Sequence, residues 1–193
     1  MTSGRRKMLA AREDLADKAG KIASAKGFTV FAMLNNLLEL SVSSEAMGFS
    51  LEEVVDNYRL IKAVRNAGFT LVLESLLYDT ADLAYQKAKD KTMKTWFDAG
   101  VWVGRQYISR GGEDPFMAVR RDLKAFLWNA PEFAMEKNEK EVSIRVLSPR
   151  FSESYTFLFN HFLEGILVAF GYGVTYKEVG TGNIRLEAAK KDG

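Results

Sequence analysis

The chain has 193 residues and 47% of them are hydrophobic, so it is long and apolar enough to build a real core. Its 27 Lys and Arg nearly balance its 25 Asp and Glu, which excludes a protein that coats nucleic acid or membrane by overall charge. Cysteine is absent, which excludes disulfides, thiolate zinc sites and cysteine nucleophiles. No apolar run approaches the roughly 18 residues of a membrane span, and the N-terminus lacks the apolar region of a secretory signal. We therefore expect a cytoplasmic protein without a membrane partner.

The N-terminal segment is locally basic, with seven Lys and Arg against three Asp and Glu in residues 1 to 27. Residues 5 to 11 are too short for a helix and precede a helical pattern, which predicts a strand. Apolar residues then recur at helical spacing and predict a helix from Asp14 to Lys26, which Gly27 ends. Its apolar positions are Leu15, Ala19, Ile22 and Ala23.

A second helix is predicted from Thr29, a natural N-cap, to about Ser44. It carries a wide apolar stripe. The stripe consists of Phe31, Leu34, Leu37, Leu38 and Val42. Two short helices cannot bury such a stripe by themselves.

Residues 5 to 44 resemble the ribbon-helix-helix family in the order and spacing of strand, helix, Gly-x-Thr turn and helix. In that family the strands of two chains pair into an antiparallel ribbon and the helices intertwine over one core. The resemblance implies an obligate homodimer. The alternative is a helical hairpin packed on its own chain.

The same resemblance implies binding to double-stranded DNA, because the ribbon of this family enters the major groove and the start of the second helix holds a phosphate. With Leu9 and Ala11 facing the core, Arg6 and Met8 face outward, and Arg6 is suited to read guanine. The candidate DNA-binding residues are Arg5, Arg6, Lys7, Met8, Arg12 and Thr29. Phe31 argues against this role, since the family commonly has a small polar residue there. The alternative is a ribbon that serves only to dimerise.

Helices dominate the middle of the chain. Ser50-Leu-Glu-Glu reads as a capping box that opens a helix from Leu51 to about Asn66. Extended backbone at residues 69 to 71 precedes helices over 72–91 and 92–109, and Pro115 opens a helix over 116–128. We therefore divide the chain into a dimerisation and DNA-binding domain (1–48), a linker helix (49–68) and an α/β domain (69–193).

The spacing of apolar residues changes from helical to alternating after Pro131. Val142, Ile144 and Val146 alternate with polar residues and predict a strand over 141–147. The most apolar helix follows over 152–170, and a hairpin of strands over 174–179 and 184–188 closes the domain. The predicted class is α+β, with helices packed on a small antiparallel sheet.

This larger domain is similar, from about residue 92 onward, to the 4-vinyl reductase domain and the related TRAPP-like ligand-binding fold. The matching segments are 99–107 (AGVWVGRQY), 162–171 (FLEGILVAFG), 174–178 (VTYKE) and 182–187 (GNIRLE). Gly100 and Gly104 would permit close helix approach, and Gly165 would let its helix lie tight against the sheet. The resemblance implies an internal pocket for a small apolar molecule. The cysteines that the family often carries near the hairpin are missing, so a bound zinc is not implied.

Aromatic side chains are the candidate pocket walls, because they suit apolar or planar ligands. The candidates are Trp96, Trp102, Tyr107, Trp128, Phe159, Phe162 and Tyr176, together with His161 as a hydrogen-bond donor. For each of them a plain place in the core is the alternative, and for His161 a partner within the fold. No catalytic residue, metal site or cofactor is predicted, because neither Asp79 with Asp82 nor Glu178 with Glu187 lies in a recognisable motif.

The leading hypothesis is a dimeric transcription regulator whose C-terminal domain senses a small apolar ligand. A non-enzymatic scaffold is the alternative, in which the N-terminal unit only dimerises and the C-terminal domain docks a protein. An enzyme that acts on an apolar substrate is a weaker third possibility.

Overall fold

A computed structural model describes residues 7–66, 68–111 and 114–191. The chain divides into two compact units, Met1–Arg59 and Leu60–Gly193. The boundary falls inside the helix that we predicted as a linker.

The first unit is helical in its described part. It contains α1 (Glu13–Ala25) and α2 (Val30–Ala46), and α3 (Leu51–Asn66) begins in it. The Thr29 side chain accepts a hydrogen bond from the Ala32 amide, which confirms the predicted N-cap of α2. Glycine 27 has a φ of 72°, a backbone conformation that other residues rarely adopt, and this ends α1.

The predicted strand over residues 5 to 11 is not present in the described part of that range. Residues 7 to 11 form neither helix nor strand, and Arg5 and Arg6 lie outside the described residues. Leu9 was expected to face a core and is instead 75% exposed. The physical reason is that a strand needs a hydrogen-bonded neighbour, and in a ribbon that neighbour is a second chain.

The second unit is an α+β domain in which helices pack on a four-stranded antiparallel sheet, as the fold class predicted. Its helices are α4 (Glu74–Arg110), α5 (Pro115–Phe126) and α6 (Glu153–Ala169). Its strands are β1 (Glu132–Lys137), β2 (Glu141–Leu147), β3 (Tyr172–Gly180) and β4 (Asn183–Lys190). They lie in the order β1-β2-β4-β3.

One face of the sheet is covered. Val142, Ile144 and Val146 of β2 are buried, and β4 places Leu186 opposite Ile144 in the same row. This alternation confirms the predicted strand. The sheet packs against the apolar side of α6, whose Leu158, Leu163, Ile166 and Leu167 are fully buried.

Helices α4 and α6 approach each other unusually closely. A Cβ on Gly100 would overlap the Phe162 carbonyl oxygen, and a Cβ on Gly165 would overlap the Phe97 carbonyl oxygen. The close approach expected of Gly100 is therefore present. The expectation for Gly165 was wrong in one respect, because its open side faces α4 and not the sheet.

Two further differences concern secondary structure. Strand β1 was not predicted. The two helices predicted over 72–91 and 92–109 are both present within α4, but the kink that separates them lies at Ala88, a few residues before the predicted boundary. The Thr92 hydroxyl lies 3.0 and 2.9 Å from the carbonyl oxygens of Ala84 and Ala88, which share its hydrogen, so it supplies a donor to carbonyls before and at this kink.

Candidate functional site

The first unit has almost no interior of its own. Only Ala23 and Ser44 are buried among its described residues. Large apolar side chains on both helices and beyond are at least two-fifths exposed. They are Leu15, Ile22, Phe28, Val30, Phe31, Leu34, Leu37, Leu38, Leu40, Val42, Met47 and Phe49. Because large exposed apolar patches often mark interaction sites, the helices of this unit are a candidate interaction face.

The candidate DNA-binding residues within the described range are exposed. Lys7, Met8 and Arg12 precede α1 in a segment without secondary structure. The Arg12 guanidinium is engaged, because its Nε and Nη2 donate to the two carboxylate oxygens of Asp14 at 3.0 and 2.7 Å. These hydrogen bonds lower the pKa of Asp14. Lys7 is therefore a more available cation than Arg12.

The second unit contains an apolar cavity of about 460 Å³ beside α4, α6 and the end of α5. Four of the eight candidate ligand-binding residues line it, namely Trp96, Trp128, Phe159 and Phe162. Further apolar lining comes from Phe69, Leu71, Val72, Leu77, Leu123, Phe126, Leu127 and Tyr155. Its size lies within the usual range for small-molecule pockets.

Polar groups meet at one part of this cavity. Glu74 accepts a hydrogen bond from the Tyr78 hydroxyl at 2.7 Å and pairs with Arg150 at 3.1 Å. The Asn129 amide donates to the same Tyr78 hydroxyl at 2.9 Å. Burial raises the pKa of Tyr78 above its usual value, and the bond to Glu74 raises it further. The tyrosine therefore stays protonated and links the carboxylate to the amide.

Tyr155 forms the wall next to these polar groups. Its ring lies edge-on to Tyr78, with centroids 4.8 Å apart, and edge-on to Trp96, with centroids 5.5 Å apart. Burial raises the pKa of Tyr155 to about 12, so its hydroxyl also stays neutral. The cavity lining thus combines aromatic walls, among them the neutral Tyr155, with one ion pair between Glu74 and Arg150.

A second apolar groove, of about 580 Å³, adjoins the cavity through shared walls. Phe69, Thr70, Leu71, Phe126 and Trp128 line both spaces. The far wall of the groove is the end of α3. It consists of Leu60, Ile61, Val64 and Arg65.

The other four candidate ligand residues lie elsewhere. Trp102 is half exposed beside Gly68, and Tyr176 is exposed on the outer sheet face, where the Arg185 guanidinium lies over its ring. Tyr107 is buried and donates to Asp122 at 2.8 Å. None of these lines the cavity, because their positions face α5, the solvent or the outer side of the sheet. Helical spacing alone does not distinguish those directions.

His161 has a partner within the fold. Its Nδ1 lies 3.1 Å from Glu164, which also accepts from Lys177 and Asn160 at 2.9 Å each. Burial alone would raise the pKa of Glu164, but these hydrogen bonds outweigh it and lower the pKa to about 2. The His161 side chain thus fits the alternative of a histidine satisfied within the fold.

Several cavity residues were missed from the sequence. Phe69, Leu71, Glu74, Asn129 and Arg150 come from the segment before α4, from its first turn and from the connections that flank β1 and β2. These positions belong to no periodic pattern, so among them only the aromatic character of Phe69 offered a signal.

Metal ligands and membrane spans are not evident in the described part of the chain. No group of three or more His, Asp or Glu side chains among the described residues is placed to hold a metal ion. Nor is any helix in those ranges long and apolar enough to cross a membrane. Compared with models of known protein families and with curated proteins, the chain matches none.

Proposed function

We propose that the protein is a homodimeric DNA-binding regulator whose second unit senses a small, mainly apolar ligand. The observation that carries the proposal is the apolar surface of α2, whose leucines are each between two-fifths and three-fifths exposed. A unit of this size whose described residues bury only Ala23 and Ser44 is unstable alone.

A second copy of the chain is the occupant that this surface fits best. The exposed face is apolar and carries no charged side chain in its stripe over Leu34, Leu37 and Leu38, so it is complementary to itself. Self-complementary faces close into two-fold dimers. The ribbon-helix-helix resemblance supports the same pairing.

The DNA-binding part of the proposal rests on charge. Basic residues Arg5, Arg6 and Lys7 precede α1, and the segment that continues from Lys7 is exposed over its whole described length. Two copies would present two such basic segments, and lysine and arginine side chains bind the phosphates of a duplex.

A gel-shift assay of the full chain on genomic fragments, run across a salt series, tests this part. We expect a shift at low salt that weakens steeply as salt rises, because bound phosphates release counterions. Replacing Arg5, Arg6 and Lys7 together by alanine should abolish the shift and leave the dimer intact in light scattering.

The matched control removes the same number of charges elsewhere, with alanine at Lys87, Lys89 and Lys91, and should keep the shift. No shift of the wild-type protein at the lowest salt would contradict DNA binding. Dissociation of the dimer in the Arg5, Arg6 and Lys7 variant would assign those residues to dimerisation instead.

The cavity of the second unit indicates the kind of ligand. Its aromatic walls favour a flat apolar body, and two polar side chains in its lining, Thr70 and Asn129, offer hydrogen bonds to one polar group. Because Glu74 and Arg150 already neutralise each other, a ligand without net charge is preferred.

Fluorescence titration with the neutral apolar probe N-phenyl-1-naphthylamine tests this part. Leu77→Trp places extra volume in the cavity wall and should weaken probe binding at least tenfold. The control, Leu83→Trp, lies on the exposed side of the same helix and should bind the probe normally. Equal binding by both variants, with unchanged thermal melting, would place the probe outside this cavity.

A route for coupling follows from the shared walls. A ligand that moves Phe69 to Leu71 or Trp128 also changes the groove lined by the last turns of α3. The probe must then change DNA affinity, since a ligand shifts an equilibrium only by its differential affinity for two states. An unchanged gel shift with saturating probe would defeat the regulatory part.

The scaffold alternative has one observation in its favour. Leu71, Val72 and Leu73 form an extended segment in which the exposed fractions are 82%, 49% and 70%, and such a segment suits contact with a protein. Absence of any gel shift at low salt, together with an intact dimer, would favour this alternative.

A further inference from the structure

The groove of the second unit that adjoins the cavity is lined mainly by apolar side chains. Its volume is about 580 Å³, within the usual range for small-molecule sites. Two of its lining rings, Phe69 and Phe126, pack together with centroids 5.7 Å apart. Its lining residues Ile61, Leu71 and Trp128 are 57%, 82% and 67% exposed. A space of this kind suits the aromatic or alkyl body of a small molecule.

One charged side chain lines this groove. Among the described residues of its lining, Arg65 is the only charged one, and Thr70 adds a hydroxyl. The Arg65 side chain is exposed, and its guanidinium makes no ion pair or side-chain hydrogen bond with any residue that the structure describes. Its N–H donors are therefore free to bind a ligand.

No acid in the groove's own segments neutralises this charge. Residues 60–71 and 125–128, which build the groove, contain two cations and no Asp or Glu. The next acid after Arg65 along the chain is Glu74, which lines the cavity instead and is paired with Arg150 at 3.1 Å. The groove thus joins an apolar surface to one unpaired positive charge.

We propose that this groove binds an apolar molecule that carries one anionic group, such as an aromatic or long-chain carboxylate. Its apolar body lies against the aromatic rings, and its anionic group binds Arg65, whose planar fork fits a carboxylate through two parallel hydrogen bonds. The cavity differs in chemistry, because its cation is already paired with an acid. This second site goes beyond the proposed function and requires neither DNA binding nor a dimer.

Arg65 also has a purely structural alternative role. It lies in the last turn of α3, where a cation interacts favourably with the helix dipole and needs no ligand. The two roles differ in one measurable respect. Only an arginine that binds the ligand makes the groove distinguish an anionic molecule from a neutral molecule with the same rings.

A matched pair of fluorescent probes makes this distinction in the full-length protein. 8-Anilinonaphthalene-1-sulfonate and N-phenyl-1-naphthylamine have the same aromatic rings and differ by the sulfonate. Excitation through tryptophan favours probe bound at the second unit, because all three tryptophans lie in that unit.

Arg65→Gln should weaken binding of the sulfonate probe roughly fivefold or more, because a charge-assisted hydrogen bond is lost at a solvent-exposed site. It should leave the affinity for the neutral probe unchanged. Arg65→Lys should give an intermediate affinity for the sulfonate probe, since it keeps the charge and loses the fork.

Three further variants locate the effect. Lys62→Gln removes the same charge from the same helix at a position outside the groove lining, and should bind both probes normally. Ala125→Trp fills the groove without changing its charge, and should also weaken binding of the sulfonate probe. Leu77→Trp fills the cavity instead, and should leave binding of the sulfonate probe unchanged.

Three outcomes would overturn the inference. They are equal affinity of the wild-type protein and Arg65→Gln for the sulfonate probe, an equal loss in Lys62→Gln, and loss of sulfonate binding in Leu77→Trp, which would place that probe in the cavity. Failure of the neutral probe to bind the wild-type protein would reject the ligand part of the proposed function and leave this site standing.

Discussion

The two units of the chain use similar apolar content in opposite ways. The second unit turns its apolar residues inward, and α6 alone buries Leu158, Leu163, Ile166 and Leu167 completely. The first unit leaves the leucines of α2 between two-fifths and three-fifths exposed. The second unit therefore has a core of its own, whereas the described residues of the first unit leave most of their large apolar side chains exposed. The difference shows that apolar composition predicts burial only when a chain has enough layers to enclose it.

Breaking the proposed dimer should have the largest effect. Leu34→Glu combined with Leu38→Glu removes four buried leucines from a two-fold interface, which at roughly 2 kcal/mol each weakens association by about 8 kcal/mol. Light scattering should then show a monomer, and circular dichroism should show loss of helix from the first unit. The second unit should keep its cooperative melting transition.

The matched control puts the same two charges on the opposite side of α2, with Asn36→Glu and Ser43→Glu. Both residues are exposed, and this variant should remain dimeric. If it dissociates as completely as the leucine variant, total charge and not the apolar face governs association.

The contact between α4 and α6 should give the next largest effect. Gly165→Ala places a methyl group against the backbone of α4, which cannot move aside as a flexible side chain would. We expect a loss of more than about 3 kcal/mol in the free energy of unfolding of the second unit, measured with urea.

Gly20→Ala makes the same substitution in the first unit and serves as the comparison. A Cβ on Gly20 would meet its nearest neighbour, a methyl group of Val30, at 3.9 Å, which is ordinary contact. Gly20→Ala should therefore stabilise α1 by roughly 0.5 to 1 kcal/mol through helix propensity. Equal destabilisation by both changes would mean that the first unit is packed as tightly as the second.

Local signals explain why much of the fold was predictable. The Ser50 capping box predicted α3, and the structure shows both of its hydrogen bonds, with the Ser50 amide donating to Glu53 at 2.7 Å and the Glu53 amide donating to the Ser50 hydroxyl at 3.2 Å. Alternating burial likewise predicted β2. Caps and periodicity act within a few residues, so they can be read without knowing the tertiary structure.

Features that depend on distant residues were not predictable in the same way. Strand β1 is six residues long and directly follows Pro131, so its two inward residues, Phe133 and Met135, are too few to reveal a period. The cavity combines Phe69 with Asn129 and Arg150, which only the packed domain brings together. Four of the seven aromatic candidates line it and three do not, because helical spacing identifies a face of a helix but not the space in front of that face.

Acid should affect the second unit through Glu164. The folded-state pKa is about 2, below the usual value of 4.5, so the carboxylate contributes stability that is present above about pH 4.5 and is lost as the pH falls toward 2. After allowance for partial exposure, this amounts to about 2 kcal/mol. Glu164→Gln should lower the stability at pH 7 and flatten the acid limb of a urea-unfolding series.

The direction in which the stability of the second unit changes with pH decides this prediction. Stability that rises as the pH falls from 5 to 3 would contradict an ionised Glu164 held by His161, Lys177 and Asn160. Glu153→Gln is the control, since Glu153 lies on the same helix and takes no part in this cluster.

The smallest expected effect is the loss of stability when a helix N-cap is removed, compared between one cap in each unit. Thr29 accepts from the Ala32 amide at 3.1 Å, and Ser152 accepts from the Tyr155 amide at 3.2 Å while also donating to Asp82 at 2.7 Å. Loss of a cap costs about 1 kcal/mol, and the additional bond to Asp82 of α4 contributes about 1 kcal/mol more. Thr29→Ala should thus cost about half as much as Ser152→Ala.

The reason for the difference is the setting of the two caps. The Thr29 hydroxyl bonds only within its own helix. The Ser152 hydroxyl also links α6 to α4 through Asp82, so it stabilises tertiary structure as well as its helix. Urea unfolding of Thr29→Ser and Ser152→Thr, which keep a hydroxyl, supplies the controls and should show near wild-type stability. Equal losses for the two alanine variants would mean that the Asp82 bond adds nothing, and the contrast in packing between the two units would then not extend to their helix caps.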